Sequence, residues 1–253
     1  MAQNAPIAED TRVEIRVWDL PVRLFHWIVV LLLVISFASG EVGLEWMRVH
    51  VFSGYAVLVL VIFRILWGFA GGTHARFASF IAGPGATFRF ARRLFSRQAV
   101  PQLGHNPLGG WMVMALIISL AVQVGTGLFA NDGVSTAGPL ALHVSLEAST
   151  NLSQLHRWNV KVLLVLSALH VAAVLFHLFV KKDLDILSAM FTGVKAVPAS
   201  FLRERREARR DRPPRRLASR ENSLSHSVSP KRALGLLALA IAVVCVVVVP
   251  YHL

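Results

Sequence analysis

The sequence predicts an all-α integral membrane protein: a four-helix bundle followed by a fifth, C-terminal transmembrane helix. Two observations support this fold class. The chain of 253 residues is 55% hydrophobic and only 16% charged, and its apolar residues collect in runs that approach the length of about 20 residues needed for a helix to cross a bilayer. The charged residues lie in the gaps between these runs.

The predicted helices follow from the apolar runs and their flanking residues. The first begins near Leu20, with Pro21 in its first turn, where proline is well tolerated. The last run has only 17 residues, which is the short limit for a helix that spans the membrane. The alternative to a transmembrane helix here is a membrane-buried hairpin or a peripheral tail. The predicted helices cover about residues 20–40, 47–69, 108–130, 153–180 and 233–249.

The distribution of apolar and charged stretches divides the chain into four parts: a polar lead (1–17), a four-helix core (18–182), a basic linker (183–232) and a C-terminal helix (233–253). Between Arg203 and Arg232 there are 11 Lys and Arg residues against four Asp and Glu residues. We interpret this stretch as a solvated linker beside anionic lipid headgroups; a specific docking role is the alternative.

Lysine and arginine alternate with the predicted helices. They occur in the lead, in the loop 70–107 and after Lys181, and are absent from the loops 41–46 and 131–152. The positive-inside rule therefore predicts a cytoplasmic N-terminus and, in a bacterial inner membrane, a periplasmic C-terminus. Basic cytoplasmic segments also explain the net charge of +12, so we expect no nucleic-acid partner.

Cys245 is the only cysteine. This count excludes disulfides, thiolate zinc sites, cysteine-ligated iron–sulfur clusters and covalent c-type haem attachment. Any haem bound by the chain must therefore be held non-covalently, with histidine as the expected ligand.

The fourth predicted helix carries His156 and His170 in an otherwise apolar run. Fourteen residues fall roughly 40° short of four full turns and rise about 21 Å, so both rings face one side, one near each membrane surface. His26 lies at the cytoplasmic start of the first helix and His50 at the periplasmic start of the second. Matching by depth pairs His26 with His170 and His50 with His156.

Two such histidine pairs predict two bis-histidine sites for low-spin haem b, built between facing helices. With both axial positions filled, the iron has no position for oxygen or substrate, which favours electron transfer over chemistry at the metal. The alternative for any single histidine is an interfacial ring that is hydrogen-bonded to a carbonyl.

Other residues around the predicted sites have two interpretations each. Gly54, one turn beyond His50, leaves room for a porphyrin or allows close helix packing. Arg64 either contacts a haem propionate or extends its charge to the headgroups. Arg157 and Lys161 could serve a second haem in the same way, or could simply lie at the interface.

The other histidines are less informative. We interpret His177, at the cytoplasmic edge of the fourth helix, as a contact for a propionate, a quinone or water, or as a plain interfacial residue. We expect surface positions for His74, His105 and His143.

The chain resembles the bacterial cytochrome b561 family and the related cytochrome b subunits of membrane-bound nickel–iron hydrogenases. The resemblance covers about residues 17–195 and depends on an ordered set of short motifs: PVRLFHW at 21–27, MRVHVFSGY at 47–55, RILWGFAG at 64–71, GHNPLGG at 104–110, and LHRW with ALHVAAVLFH within 155–177. It implies a four-helix core that binds two b haems, with ligands at His26, His50, His156 and His170.

The resemblance also implies electron transfer between the membrane quinone pool and a partner redox protein, with quinone or quinol oxidoreductase activity. The short loop between the first two helices favours a separate periplasmic cytochrome c over a large hydrogenase partner. The alternatives are an anchor subunit of a hydrogenase-like complex and a histidine-lined metal or proton transporter. A second copy of the chain, in a homodimer, is a further candidate partner.

Overall fold

The computed structural model describes residues 12–93, 104–181, 185–210 and 229–251, and long helices dominate them. A short strand precedes the first helix and a second follows the last helix of the core. In chain order the elements are β1 (Arg12–Arg16), α1 (Leu20–Val42), α2 (Met47–Ala70), α3 (Phe77–Phe80), α4 (Pro84–Arg93), α5 (Pro107–Gly127), α6 (Leu146–Leu175), α7 (Asp185–Thr192), β2 (Val194–Pro198), α8 (Ala199–Arg210) and α9 (Pro230–Val248).

Five of these helices are long and apolar enough to cross a membrane: α1, α2, α5, α6 and α9. Their mean hydropathy lies between 1.9 and 2.4, and α6 continues through a π-helical turn at Phe176–Val180. The prediction of an all-α integral membrane bundle with a fifth apolar helix is therefore confirmed, and the chain is a multi-pass membrane protein.

The starts of the helices follow from their capping residues. Asp19 caps α1 by accepting a hydrogen bond from the Val22 amide at 3.0 Å, and Asn106 caps α5 by accepting one from the Gly109 amide at 2.7 Å. The fourth span begins at Leu146 rather than near residue 153, because Ser145 caps it there. Capping satisfies amides that have no partner inside a helix.

The four core helices form two packed pairs, α1 with α2 and α5 with α6, joined where α2 meets α5. Five buried aliphatic side chains from all four helices meet in a central cluster: Val29, Val57, Val61, Leu120 and Leu163. The fifth span, α9, packs on the outer side of α2, where Ala240 is fully buried. Side chains near the starts of α1 and α9 pack in one cluster with Trp67, so the N-terminal ends of these two helices lie at one end of the bundle, called here the N-terminal face.

At the N-terminal face, β1 and β2 pair as two antiparallel strands, with Val13 opposite Val197. Two strands alone are marginally stable in water, but this pair is joined to the bundle. The Val17 amide donates to the Gly193 carbonyl at 2.8 Å, and Gly193 has a φ of 83°, which favours glycine. Neither strand was predicted from the sequence.

The lead and the linker are described only in part. Residues 1–11, 182–184 and 211–228 lie outside the described residues. In the part of the predicted linker that is described, α7, β2 and α8 form regular structure, with α7 docked onto the start of α1. Trp27 stacks on Phe191 with ring centroids 4.6 Å apart, and Arg23 donates to the Phe191 carbonyl.

Candidate functional site

The structure brings together the two histidine pairs that depth matching predicted. The ring centroids of His26 and His170 are 6.4 Å apart, near the N-terminal face. Those of His50 and His156 are 6.1 Å apart, towards the opposite end of the bundle. All four rings are half-buried between helices, and the central aliphatic cluster includes Leu163, which lies between His156 and His170 in sequence.

Both separations fit a metal atom held between two imidazoles. Metal–imidazole bonds are about 2.0 to 2.1 Å long, and adding the radius of each ring puts the centroids of two opposed ligands about 6 Å apart. Among residues 12–93, 104–181, 185–210 and 229–251, no group of three or more His, Cys, Asp or Glu side chains is placed to hold a metal ion. The donor sets are therefore pairs, as a macrocycle that supplies its own equatorial nitrogens requires.

The rings of His50 and His156 are oriented by backbone carbonyls. Nδ1 of His50 lies 2.8 Å from the Ser36 carbonyl oxygen, and Nδ1 of His156 lies 2.9 Å from that of Gln123. A carbonyl can only accept, so each Nδ1 carries the proton and each Nε2 keeps its lone pair for a metal. In the structure the Gln123 amide lies 3.0 Å from Nε2 of His156, so it must turn aside when a metal binds there.

A buried polar network supports Gln123 from α6. The Asn159 amide donates to the side-chain oxygen of Gln123 at 2.8 Å and to the Ser119 carbonyl at 2.9 Å, and it accepts from the Ser119 hydroxyl at 3.1 Å. Sequence reasoning missed these residues. The available signal was spacing, because Ser119 and Gln123 are four residues apart in an apolar run and Asn159 is one turn beyond His156.

Several buried polar atoms at the N-terminal face have no hydrogen-bond partner in the described part of the chain. Arg64 is only 3% exposed and its Nη1 is unpartnered, as is Nδ1 of His26. Such atoms are rare in folded proteins and call for an explanation. The full set is Arg23 Nε, His26 Nδ1, Arg64 Nη1, Thr73 Oγ1 and His105 Nδ1. A bound group with oxygen acceptors would satisfy the donors of Arg64 and His26.

The burial of Arg64 decides against one interpretation of this residue. A side chain that extends its charge to lipid headgroups would be exposed, whereas Arg64 packs with its guanidinium carbon 5.2 Å from the Phe77 ring centroid. The nearby carboxylate of Asp19 is already engaged, because it accepts from Trp67 Nε1 at 3.0 Å and from the Val22 amide. The structure therefore leaves part of the guanidinium available for an anionic ligand.

The expectation that His105 is a surface residue is wrong. Its ring lies between Trp18 and Phe80, with centroids 4.6 and 4.9 Å away. Burial, reinforced by the positive charge of Arg64, lowers the pKa of His105 to about 3, so its ring is neutral at physiological pH. His74 is half-buried and His143 is exposed.

The other predicted residues are placed as follows. A Cβ at Gly54 would meet no atom within 4 Å, so close packing against another helix does not require a glycine there. Arg157 and Lys161 are exposed and line a shallow pocket with Gln154 and Trp158, where the Lys161 ammonium lies 4.1 Å from the Trp158 ring centroid. His177 is half-buried in the π-helical turn, a feature that is frequent at functional sites.

Comparison with known proteins identifies the family. The family model described as prokaryotic cytochrome b561 matches residues 17–193. No curated protein and no solved structure matches the chain. The matched segment covers most of the chain and includes both histidine pairs, so the chain belongs to the prokaryotic cytochrome b561 family of membrane electron-transfer proteins.

Proposed function

We propose that this member of the prokaryotic cytochrome b561 family is a transmembrane dihaem b cytochrome that transfers electrons between the membrane quinone pool and a partner redox carrier. The partner would be a soluble carrier such as a periplasmic cytochrome c. The observation that carries the proposal is the pair of opposed imidazole sites, with ring centroids 6.4 and 6.1 Å apart. One site lies towards each end of the bundle, so two redox centres would together reach across the membrane.

Each haem b would supply a one-electron ferric–ferrous couple, held by His26 with His170 and by His50 with His156. With both histidines of a pair bound to it, the iron would have no free position for oxygen, which favours electron transfer over chemistry at the metal. Both helix pairs contribute to both sites, because α6 provides one ligand to each. The aliphatic cluster of Val29, Val57, Val61, Leu120 and Leu163 keeps water out of the space between the sites.

The charged residues fit the propionates that haem b carries. Arg64, buried and with an unpartnered Nη1, would bind a propionate of the haem between His26 and His170. Charge-assisted hydrogen bonds from arginine to a carboxylate are strong where water is excluded. The exposed Arg157 and Lys161 would serve the propionates of the second haem, and the open space at Gly54 would receive part of a macrocycle.

We place the N-terminal face in the cytoplasm and the opposite face in the periplasm of the bacterial inner membrane. The distribution of lysine and arginine supports this orientation: Arg76, Arg89 and Arg92 lie in the segment between α2 and α5, and none occurs in residues 131–152. Quinone would then bind near the cytoplasmic haem, where His177 lies in the π-helical turn that ends α6.

Vesicles that contain purified protein and trapped ferricyanide test the proposal. A membrane-soluble quinol analogue added outside should reduce both haems, and the trapped ferricyanide should then be consumed at a rate that depends on the protein. His170→Ala should abolish this consumption because it breaks the path at one haem. A protein that carries haem but leaves the trapped ferricyanide oxidised would refute transmembrane transfer.

A further inference from the structure

Two glycines lie directly against the imidazole rings of the His50–His156 pair. A Cβ built on Gly40 in α1 would be 3.0 Å from Nδ1 of His50, and one built on Gly127 in α5 would be 3.1 Å from Cε1 of His156. Contacts this close are tighter than nearly all real Cβ contacts. An alanine at either position would therefore displace the ring by a few tenths of an ångström.

The same backbone pattern recurs at both glycines. The carbonyl that accepts from His50 Nδ1 belongs to Ser36, four residues before Gly40, and the carbonyl that accepts from His156 Nδ1 belongs to Gln123, four residues before Gly127. Residues four apart lie one above the other on the same helix face. We call each combination of carbonyl and glycine a ring seat.

Ordinary helix packing does not explain these two glycines. The three atoms nearest to a Cβ on Gly40 belong to the His50 ring, and the nearest atoms to a Cβ on Gly127 belong to the His156 ring. By contrast, a Cβ on Gly110 would meet the Phe80 carbonyl, and one on Gly68 would meet the Phe77 ring, neither of which is a predicted ligand. The room left at Gly40 and Gly127 is therefore room for an imidazole.

We infer that Gly40 and Gly127 are positioning residues. Each lets a histidine on a neighbouring helix lie close enough to a backbone carbonyl for that carbonyl to fix the tautomer and the orientation of the ring. The inference rests on the proposed function, in which these rings are the axial ligands of one haem. A carbonyl that accepts from the second nitrogen makes an imidazole a more basic ligand, which stabilises ferric iron. Both seats act on the same haem.

The ring seats are confined to one end of the bundle. No described glycine has His26 or His170 among the nearest neighbours of its Cβ, and Nδ1 of His26 has no partner. A substitution at a seat should therefore alter one haem and leave the other unchanged. This selectivity separates positioning from a general effect on folding.

Gly40→Ala and Gly127→Ala, each in the full-length, haem-loaded protein, test the inference. We expect two haems per chain in both variants, with a changed electron paramagnetic resonance signal and a raised midpoint potential for one of them. The affected haem should be the one that His50→Ala removes, and the same one in both variants. Selective loss of that haem in either variant would also support the inference.

Gly125→Ala is the matched control, because it lies on the same helix as Gly127 and its Cβ would meet no atom within 4 Å. It should leave both haem signals unchanged. Unchanged signals in both seat variants, equal changes at both haems, loss of both haems, or a control that matches the seat variants would each overturn the inference. Absence of haem from the wild-type protein would overturn the proposed function as well.

Discussion

Arg64→Leu should selectively weaken the binding of the haem between His26 and His170. Arg64 is 3% exposed and its Nη1 is unpartnered, so the proposed propionate is the remaining partner of its guanidinium. A hydrogen bond to a charged group contributes about 1.5 to 3 kcal/mol. Because about 1.4 kcal/mol corresponds to a factor of ten, affinity for that haem should fall about 10- to 150-fold.

Transfer of haem to excess apomyoglobin measures this effect, with the two b-type signals followed separately. The haem that depends on His170 should leave the Arg64→Leu protein faster than it leaves the wild type, and the other haem should leave at the wild-type rate. Arg157→Leu is the reciprocal variant, since Arg157 is exposed and is proposed to serve the other haem, so the haem that depends on His170 should leave it at the wild-type rate. Equal retention of both haems in Arg64→Leu would refute a propionate contact at this residue.

Three further predictions concern packing and topology. Asn159→Leu removes three hydrogen bonds between α5 and α6. At about 0.6 kcal/mol for each bond in a membrane, the free energy of unfolding should fall by about 2 kcal/mol, measured by thermal unfolding in detergent. An unchanged midpoint of thermal unfolding would contradict a stabilising role for these hydrogen bonds. Gly110→Ala brings a Cβ to 2.5 Å from the Phe80 carbonyl and should destabilise the protein by about 1 to 3 kcal/mol, whereas Gly125→Ala should not. In a Cys245→Ser background, an impermeant maleimide added to intact cells should label Glu45→Cys and spare Glu207→Cys, and the reverse pattern would invert the proposed orientation.

The spans and the histidine pairing could be predicted because both depend on local properties of the sequence. Apolar runs near 20 residues identify a membrane helix without knowledge of its neighbours. The spacing of His156 and His170 depends only on helix geometry, so relative depth was enough to pair the rings that the structure brings within 6.4 and 6.1 Å.

The polar contacts could not be predicted because they depend on how the helices are rotated against one another. Asn159 and Gln123 meet only when α6 and α5 pack in one particular register, and nothing in either segment specifies that register alone. The same holds for Gly40, which appears at the end of an apolar run as an ordinary terminating glycine. Its contact with His50 comes from the neighbouring helix.

The burial of His105 and the two strands could not be predicted for a different reason. A histidine in the loop motif GHNPLGG gives no local sign of burial, and its position between Trp18 and Phe80 depends on how the residue before Asp19 and the short helix α3 pack at the N-terminal face. The alternation of RVEIR in β1 was visible, but five residues are too few to distinguish a strand from a polar lead. Its partner, β2, lies almost 180 residues later in the chain.

The central claim, that the two histidine pairs hold two haems, is tested most directly by the ratio of haem to protein. The purified chain should contain two haem b groups, with the α-band of low-spin b-type iron when reduced. His50→Ala and His170→Ala should each lower the ratio to one, and the double variant should lower it to zero. A wild-type ratio of zero, or a single variant that keeps both haems, would contradict the assignment of ligands.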